Sequence, residues 1–180
     1  MDPKVSIILL TYNQVKYIEQ AVNSVINQTY KNWELIVSDN GSDDGTKEIL
    51  KSYAYDKRIK LLLYDSNDYV TKRSNQVISE ASGEFISFLY GDDFYLPKKI
   101  EEQVKLLNQI SSRWGVVYGP GYILNEFTSN KSEELSLDAH GEIIKDILDN
   151  YYVKGYLNPI SPLVRRECFQ KYPFYEDLFT

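Results

Sequence analysis

The chain has 180 residues, 43% of them apolar and 26% charged, which suffices for one buried core and one domain of ordinary size. That balance excludes long disordered, collagen-like and disulfide-scaffold classes. Twenty basic against 26 acidic side chains leave a formal charge of -6, so there is no broad positive surface for a nucleic-acid backbone. The longest apolar run, Val5 to Leu10, is interrupted by Ser6. It is far shorter than the roughly 20 residues of a bilayer-spanning helix, and it lacks the charged leader and cleavage site of a signal peptide. Cys168 is the only cysteine and stands beside no histidine, which rules out an internal disulfide and a Cys/His metal site around it. The expected setting is soluble, reduced and cytoplasmic, without a membrane span; any association with the inner face of a membrane would run through partners.

Val5 to Tyr12 is a nearly continuous apolar stretch ending in polar residues, the pattern of a strand buried on both faces. Tyr17, Ile18, Ala21, Val22, Val25 and Ile26 then recur at helical spacing, which predicts an amphipathic helix. Trp33 to Val37 is a second strand, followed by the turn-forming run Ser38-Asp39-Asn40-Gly41-Ser42-Asp43-Asp44-Gly45. A helix is expected over Thr46 to Tyr53, a strand over Ile59 to Tyr64, a helix over Lys72 to Ala81 and a strand over Phe85 to Tyr90. Gly91-Asp92-Asp93 breaks that strand, and Pro97 can occupy the first turn of a helix reaching about Ile110. Trp114 to Tyr118 reads as a further strand, Thr128 to Ser136 as a polar loop and Ile143 to Tyr151 as a helix. Alternating strands and helices predict an α/β fold with a mostly parallel central sheet, right-handed crossovers and flanking helices. No linker divides the chain, so residues 1-180 read as a single domain.

In open α/β sheets ligands settle outside the carboxyl ends of the strands. Three such ends carry Thr11-Tyr12-Asn13, Asp39-Asn40 and Asp92-Asp93. Carboxylates at a strand end can hold a hard divalent cation whose other ligands are water and substrate phosphate oxygens. Lys72 and Arg73 precede the fourth strand and could add positive charge beside a diphosphate.

These segments, in this order, resemble the inverting family 2 glycosyltransferases, whose nucleotide-binding fold, called GT-A, is Rossmann-like. The resemblance rests on Val5-Ser6-Ile7-Ile8-Leu9-Leu10-Thr11-Tyr12-Asn13, on Ser24-Val25-Ile26-Asn27-Gln28-Thr29-Tyr30 and on Trp33 to Thr46. It continues through Asn75, Ile78, Ala81, Ser82, Gly83 and Glu84 into Phe88-Leu89-Tyr90-Gly91-Asp92-Asp93. It implies transfer of a sugar from a nucleoside-diphosphate sugar, with a UDP-sugar the expected donor, to a glycan, polysaccharide or glycoprotein acceptor, with Mn2+ or Mg2+ as cofactor. By that resemblance Tyr12, flanked by Thr11 and Asn13, stacks near the base and Asp39 or Asn40 hydrogen-bonds it. Asp92 lies near the ribose and phosphate, Asp93 is the metal ligand, the two aspartates form the catalytic centre, and Lys72 and Arg73 contact the nucleotide. Two departures stand out: Asn40 replaces a second aspartate, which leaves the base open, and Tyr90 replaces a further aspartate of the metal motif. The resemblance also implies that the general base and the acceptor region lie beyond Thr180, with Glu176 and Asp177 not filling that role.

Plainer readings compete at each point. Asp39 to Gly45 could be an acidic turn capping a helix, and Asp92-Asp93 could cap the helix after Pro97. An EF-hand fails because Lys51 stands where a bidentate glutamate is required. A dehydrogenase is disfavoured because no Gly-x-Gly-x-x-Gly follows the first strand. Trp33 and Trp114 are expected in the core, and His140 in a solvated loop. The rival to an enzyme is a non-catalytic or truncated nucleotide-binding module that mediates assembly; oligomeric state is open.

Overall fold

The computed structural model describes residues 2-119, 121, 122, 124 and 162-174. The loop expected at Thr128 to Ser136, the helix at Ile143 to Tyr151, His140, Glu176 and Asp177 lie outside them. Six strands form one sheet: β1 (Val5–Thr11), β2 (Trp33–Asp39), β3 (Ile59–Leu63), β4 (Phe85–Tyr90), β5 (Val116–Val117) and β6 (Leu163–Arg165). Their order across the sheet is β3-β2-β1-β4-β6-β5. The first four are parallel, while β6 runs antiparallel to both β4 and β5.

The helices are α1 (Ile18–Ile26), α2 (Thr46–Lys51), α3 (Val70–Ser79), α4 (Lys99–Gln109) and α5 (Arg166–Lys171). α2 stops short of Tyr53, α3 begins two residues before Lys72, and α4 begins after Pro97. β5 is only two residues of the five expected. None of the helices among the described residues is long and apolar enough to cross a membrane.

All seven residues of β1 are buried, as expected of a central strand covered on both faces. Successive side chains of a strand point to opposite faces, and here each set meets a different layer. Ile7, Leu9, Leu35, Val37 and Leu89 pack with Ile18, Val22 and Val25 of α1 and with Ile100, Val104 and Leu107 of α4. Ile8, Leu10, Ile36 and Ile86 pack on the other face with Val77 of α3 and Ala81. Trp33 is 2% exposed and belongs to the core, but Trp114 is 47% exposed, which corrects the expectation for it. Trp114 lies just before β5 at the sheet's edge, with no layer beyond to cover it among the described residues.

Glu34 ties the amino-terminal edge of the sheet together. Its carboxylate accepts from Lys4 Nζ at 2.7 Å, Ser6 Oγ at 2.5 Å and the backbone N–H of Ser82 at 2.7 Å. Burial pushes this carboxyl up, but those hydrogen bonds outweigh it and hold the group down at about 2.

Candidate nucleotide site

The carboxyl ends of β1, β2 and β4 meet beside α3 around a cavity of about 230 Å3, lined by Leu10, Thr11, Tyr12, Gln14, Ser38, Asn40, Val70, Arg73 and Tyr90. Its floor is set by register. Leu10 pairs with Ser38 on one side and with Tyr90 on the other, so these three side chains share one face at one level of the sheet. Tyr12 stands 45% exposed where β1 ends, a phenol ring on the cavity wall that is open to stacking.

The surrounding loops are braced against each other. Asn13 has φ 51°, a left-handed conformation that asparagine tolerates better than most residues; its backbone N–H donates to Ser42 Oγ and its side chain accepts from the Asp43 N–H. Gln14 N–H donates to Thr46 Oγ1, and Val15 N–H donates to Asp44 Oδ2. Asp44 also accepts from the backbone N–H of Thr46, satisfying one of the free donors at the start of α2. At Gly91 any Cβ would fall onto Gln14 Oε1 and within 2.5 Å of Thr11 Oγ1, so only glycine lets the end of β4 close on the loop after β1.

The structure separates the two residues after β2. Asp39 is fully buried but does not line the cavity. Its Oδ1 accepts from the backbone N–H groups of Gly41 and Ser42 at 3.2 and 3.0 Å, Lys47 Nζ lies 3.9 Å away, and Oδ2 has no partner among the described residues. Asn40 does line the cavity, yet its amide is fully engaged. Its Nδ2 donates to Asn67 Oδ1 and Asp68 O, and its Oδ1 accepts from Asp68 N and Arg73 Nε.

Lys72 and Arg73 also part company. Lys72 is exposed and pairs with Asp68 at 2.8 Å, away from the cavity lining. Arg73 is buried, with its guanidinium 3.6 Å over the Tyr64 ring; besides Asn40 it donates to Gln76 Oε1 and Ser66 O, both at 3.0 Å. A planar guanidinium has five N–H donors, and three of them bond to described residues. Sequence reasoning passed over Leu10, Gln14, Ser38, Val70 and Tyr90 as lining residues. Strand alternation gave the signal for Leu10 and Ser38, but nothing local marks Val70.

Asp92 and Asp93 follow β4 directly. Burial, and after it the charge of Asp92, push the Asp93 carboxyl up; burial and the Asp93 charge push the Tyr90 phenol up. No cationic side chain pairs with either aspartate among the described residues. Two neighbouring carboxylates whose repulsion is uncompensated suit a divalent cation. Among the described residues no group of three or more His, Cys, Asp or Glu could hold one alone, so a cation here needs oxygen ligands from water or a bound phosphate.

An open, mostly parallel α/β sheet with a cavity and an acidic pair at its strand ends is the architecture of the GT-A fold. The chain belongs to glycosyl transferase family 2, whose model matches residues 6–168. It is 39% identical over 116 residues to the UDP-Glc:alpha-D-GlcNAc-diphosphoundecaprenol beta-1,3-glucosyltransferase WfgD of Escherichia coli, covering 63% of this chain and 46% of that protein. Among solved structures it is similar to S. aureus TarS 1-349 in complex with UDP-GlcNAc, with TM-score 0.71 and 21% identity over 93% of this chain and 47% of that one. It is likewise similar to the mannosyltransferase PcManGT of Pyrobaculum calidifontis in complex with GDP-Man and Mn2+, with TM-score 0.72 and 19% identity over 98% of this chain and 49% of that one. At these identities the two structures show the fold. The chain spans less than half the length of the curated relatives it matches.

Proposed function

We propose that the chain carries the donor half of an inverting, divalent-cation-dependent glycosyltransferase that binds a UDP-sugar and directs the sugar to a glycan, polysaccharide or glycoprotein acceptor. The observation that carries this reading is the juxtaposition of the cavity, with Tyr12 on its wall and Arg73 in it, and the carboxylates of Asp92 and Asp93, which no cationic side chain pairs among the described residues. The UDP-sugar named in the E. coli relative supports uridine as the nucleoside, and the Mn2+ in the archaeal neighbour supports the cation.

In this reading the base enters between the Tyr12 ring and the floor of Leu10, Ser38 and Tyr90, where stacking and apolar contact hold it. Asp39 acts behind the cavity: by fixing the Gly41 and Ser42 N–H groups it sets the turn from which Asn40 braces the 66–68 segment. Asp93, with Asp92 beside it, would hold the cation, which supplies Lewis-acid stabilisation of the departing diphosphate. The acceptor hydroxyl attacks the anomeric carbon from the face opposite the diphosphate, so the sugar is transferred with inversion and its proton passes to a general base.

The test is a thermal-shift titration of the chain with UDP, with and without Mn2+. Ligand at a hundredfold its dissociation constant stabilises the folded state by about 2.7 kcal/mol, expected here as a rise of about 5–10 °C. No rise with UDP and Mn2+ together would remove the nucleotide assignment.

A further inference from the structure

β4 loses its neighbour on one side just before the acidic pair. Along β4 and β6 the register runs Phe85 with Arg165, Ile86 with Val164 and Ser87 with Leu163, which sets Phe88 opposite Pro162. The Arg166 N–H donates to Glu84 O at 2.9 Å, so Glu84, Ile86 and Phe88 are the residues that turn their backbone groups toward β6. Proline has no N–H to give, and the ladder therefore leaves the Phe88 carbonyl without a donor from Pro162. Tyr95 supplies one. Its Oη donates to Phe88 O at 2.5 Å and lies 2.8 Å from Ser87 Oγ, while Ser87 Oγ donates to Pro162 O at 3.0 Å.

Tyr95 stands at the far end of the turn that carries Asp92 and Asp93, and three elements grip it. It is 3% exposed. Its backbone N–H donates to Ser24 Oγ of α1 at 3.0 Å, its phenol is bonded to β4, and Lys99 Nζ of α4 lies 4.1 Å from its ring centroid. The near end of the turn is fixed as well, because the Gly91 N–H donates to Leu10 O and a Cβ has no room there. Between these ends the Asp93 N–H donates to Tyr90 O. The two carboxylates have no cationic partner among the described residues, and neighbouring like charges repel. Burial, and with it the Asp93 charge, push the Tyr95 phenol up, so the phenol lies within the field of that carboxylate.

The geometry points to Tyr95 as the positioning residue of the proposed cation site: its hydroxyl, by bridging back to Phe88 O, closes the loop of residues 88–95 and fixes Asp92 and Asp93 beside each other. This inference rests on the proposal that Asp93, with Asp92 beside it, holds a divalent cation next to a nucleoside diphosphate, and it deepens that proposal by naming what keeps the ligand in place. The ring alone would fill the core. The hydroxyl does something further, since a phenylalanine here would leave the Phe88 carbonyl unpaired and the loop open at its far end. An acidic pair free to move relaxes its repulsion by separating, and a cation must then draw it together against the lost freedom. A pair already held in place binds without that ordering cost.

The test compares Tyr95→Phe, Ser24→Ala and Ser87→Ala with wild type by calorimetry against UDP, with and without Mn2+, alongside melting of the unliganded proteins. Tyr95→Phe removes only the hydroxyl, and Ser24→Ala removes the partner of the Tyr95 N–H. Ser87→Ala takes away the bonds to Pro162 O and Lys99 Nζ in the same buried cluster but leaves Tyr95 bonded to Phe88 O. All three variants are expected to melt below wild type and to bind UDP without metal as wild type does. Tyr95→Phe and Ser24→Ala should lose about three- to tenfold of the affinity that Mn2+ adds, while Ser87→Ala keeps it. An undiminished Mn2+ increment in Tyr95→Phe overturns the positioning role; if that variant does not fold, Ser24→Ala decides in the same way. An equal loss in Ser87→Ala overturns it too, since binding would then follow stability alone, and so does a parallel fall in metal-free UDP affinity. If Mn2+ adds nothing to UDP binding in wild type, the cation reading fails and this inference with it, while the nucleotide site stands. Wild type that binds UDP under neither condition removes the proposed function itself.

Discussion

Asp93, the proposed cation ligand, would serve that ligand at the expense of the unliganded fold. Burial and the neighbouring Asp92 charge raise its pKa, so the folded state favours the protonated form. Stability contributed by that proton is full below the ordinary aspartate value and is lost as pH rises through the raised one. At neutral pH the ionised carboxylate therefore weakens the unliganded protein, and a cation would relieve that. Asp93→Asn is expected to raise the melting temperature without ligand and to lower Mn2+-dependent UDP affinity by about ten- to a hundredfold, the worth of one charge-assisted interaction. Calorimetry and melting on the same samples check both signs. In wild type, cation-dependent binding should fade on acidification at a pH above that of an ordinary aspartate. The position of the Asp92-Asp93 pair at a strand end could be read from sequence, because a strand followed by Gly-Asp-Asp announces its own end. The burial of Arg73 could not. A basic residue beside Lys72 in a helix reads as solvated charge; the Tyr64 ring, the Asn40 side-chain oxygen and Ser66 O, brought from other segments, together with Gln76 satisfy it in burial.

At the scale of elements, the parallel half of the sheet was legible because each strand is a short apolar run closed by turn formers. The antiparallel insertion of β6 beside β4 was not, since Phe85 pairs with Arg165 across 80 residues of chain and no local pattern encodes a pairing at that range. The exposed Trp114 follows from the same gap, for the strand it precedes ends up at the sheet's edge. Two junctions between elements can be tested. Gly91→Ala would drive a methyl group into Thr11 and Gln14, separating the end of β4 from the loop after β1. It is expected to cost about 1–3 kcal/mol of stability and to weaken UDP and Mn2+ binding together, as read by urea denaturation and titration. Glu34 is the second junction. With its carboxyl held at about 2 against an ordinary 4.5, it contributes stability that is full above pH 4.5 and lost as pH falls toward 2. Glu34→Gln should therefore show a shallower loss of stability across that window, and at neutral pH it should be less stable by about 2 kcal/mol once screening at a partly exposed site is allowed for. Equal acid limbs in the two proteins would remove Glu34 from that role.

For the whole molecule, the division of labour follows from the layers. One face of the sheet is sealed by α1 and α4 and carries most of the core. The other, under α3, has a smaller apolar cluster that ends in the cavity. The larger part of the core lies on the first face and the cavity of the proposed function on the second, so substitutions at Tyr12 or Asp93 are expected to alter binding while the fold persists. The measurement that tests this account most directly is the position of UDP in a crystal of the chain grown with UDP and Mn2+. The base is expected between Tyr12 and the row of Leu10, Ser38 and Tyr90, with the diphosphate leading toward a cation at Asp93. Nucleotide density elsewhere on the molecule, with this cavity empty and no cation at Asp92 or Asp93, would contradict it.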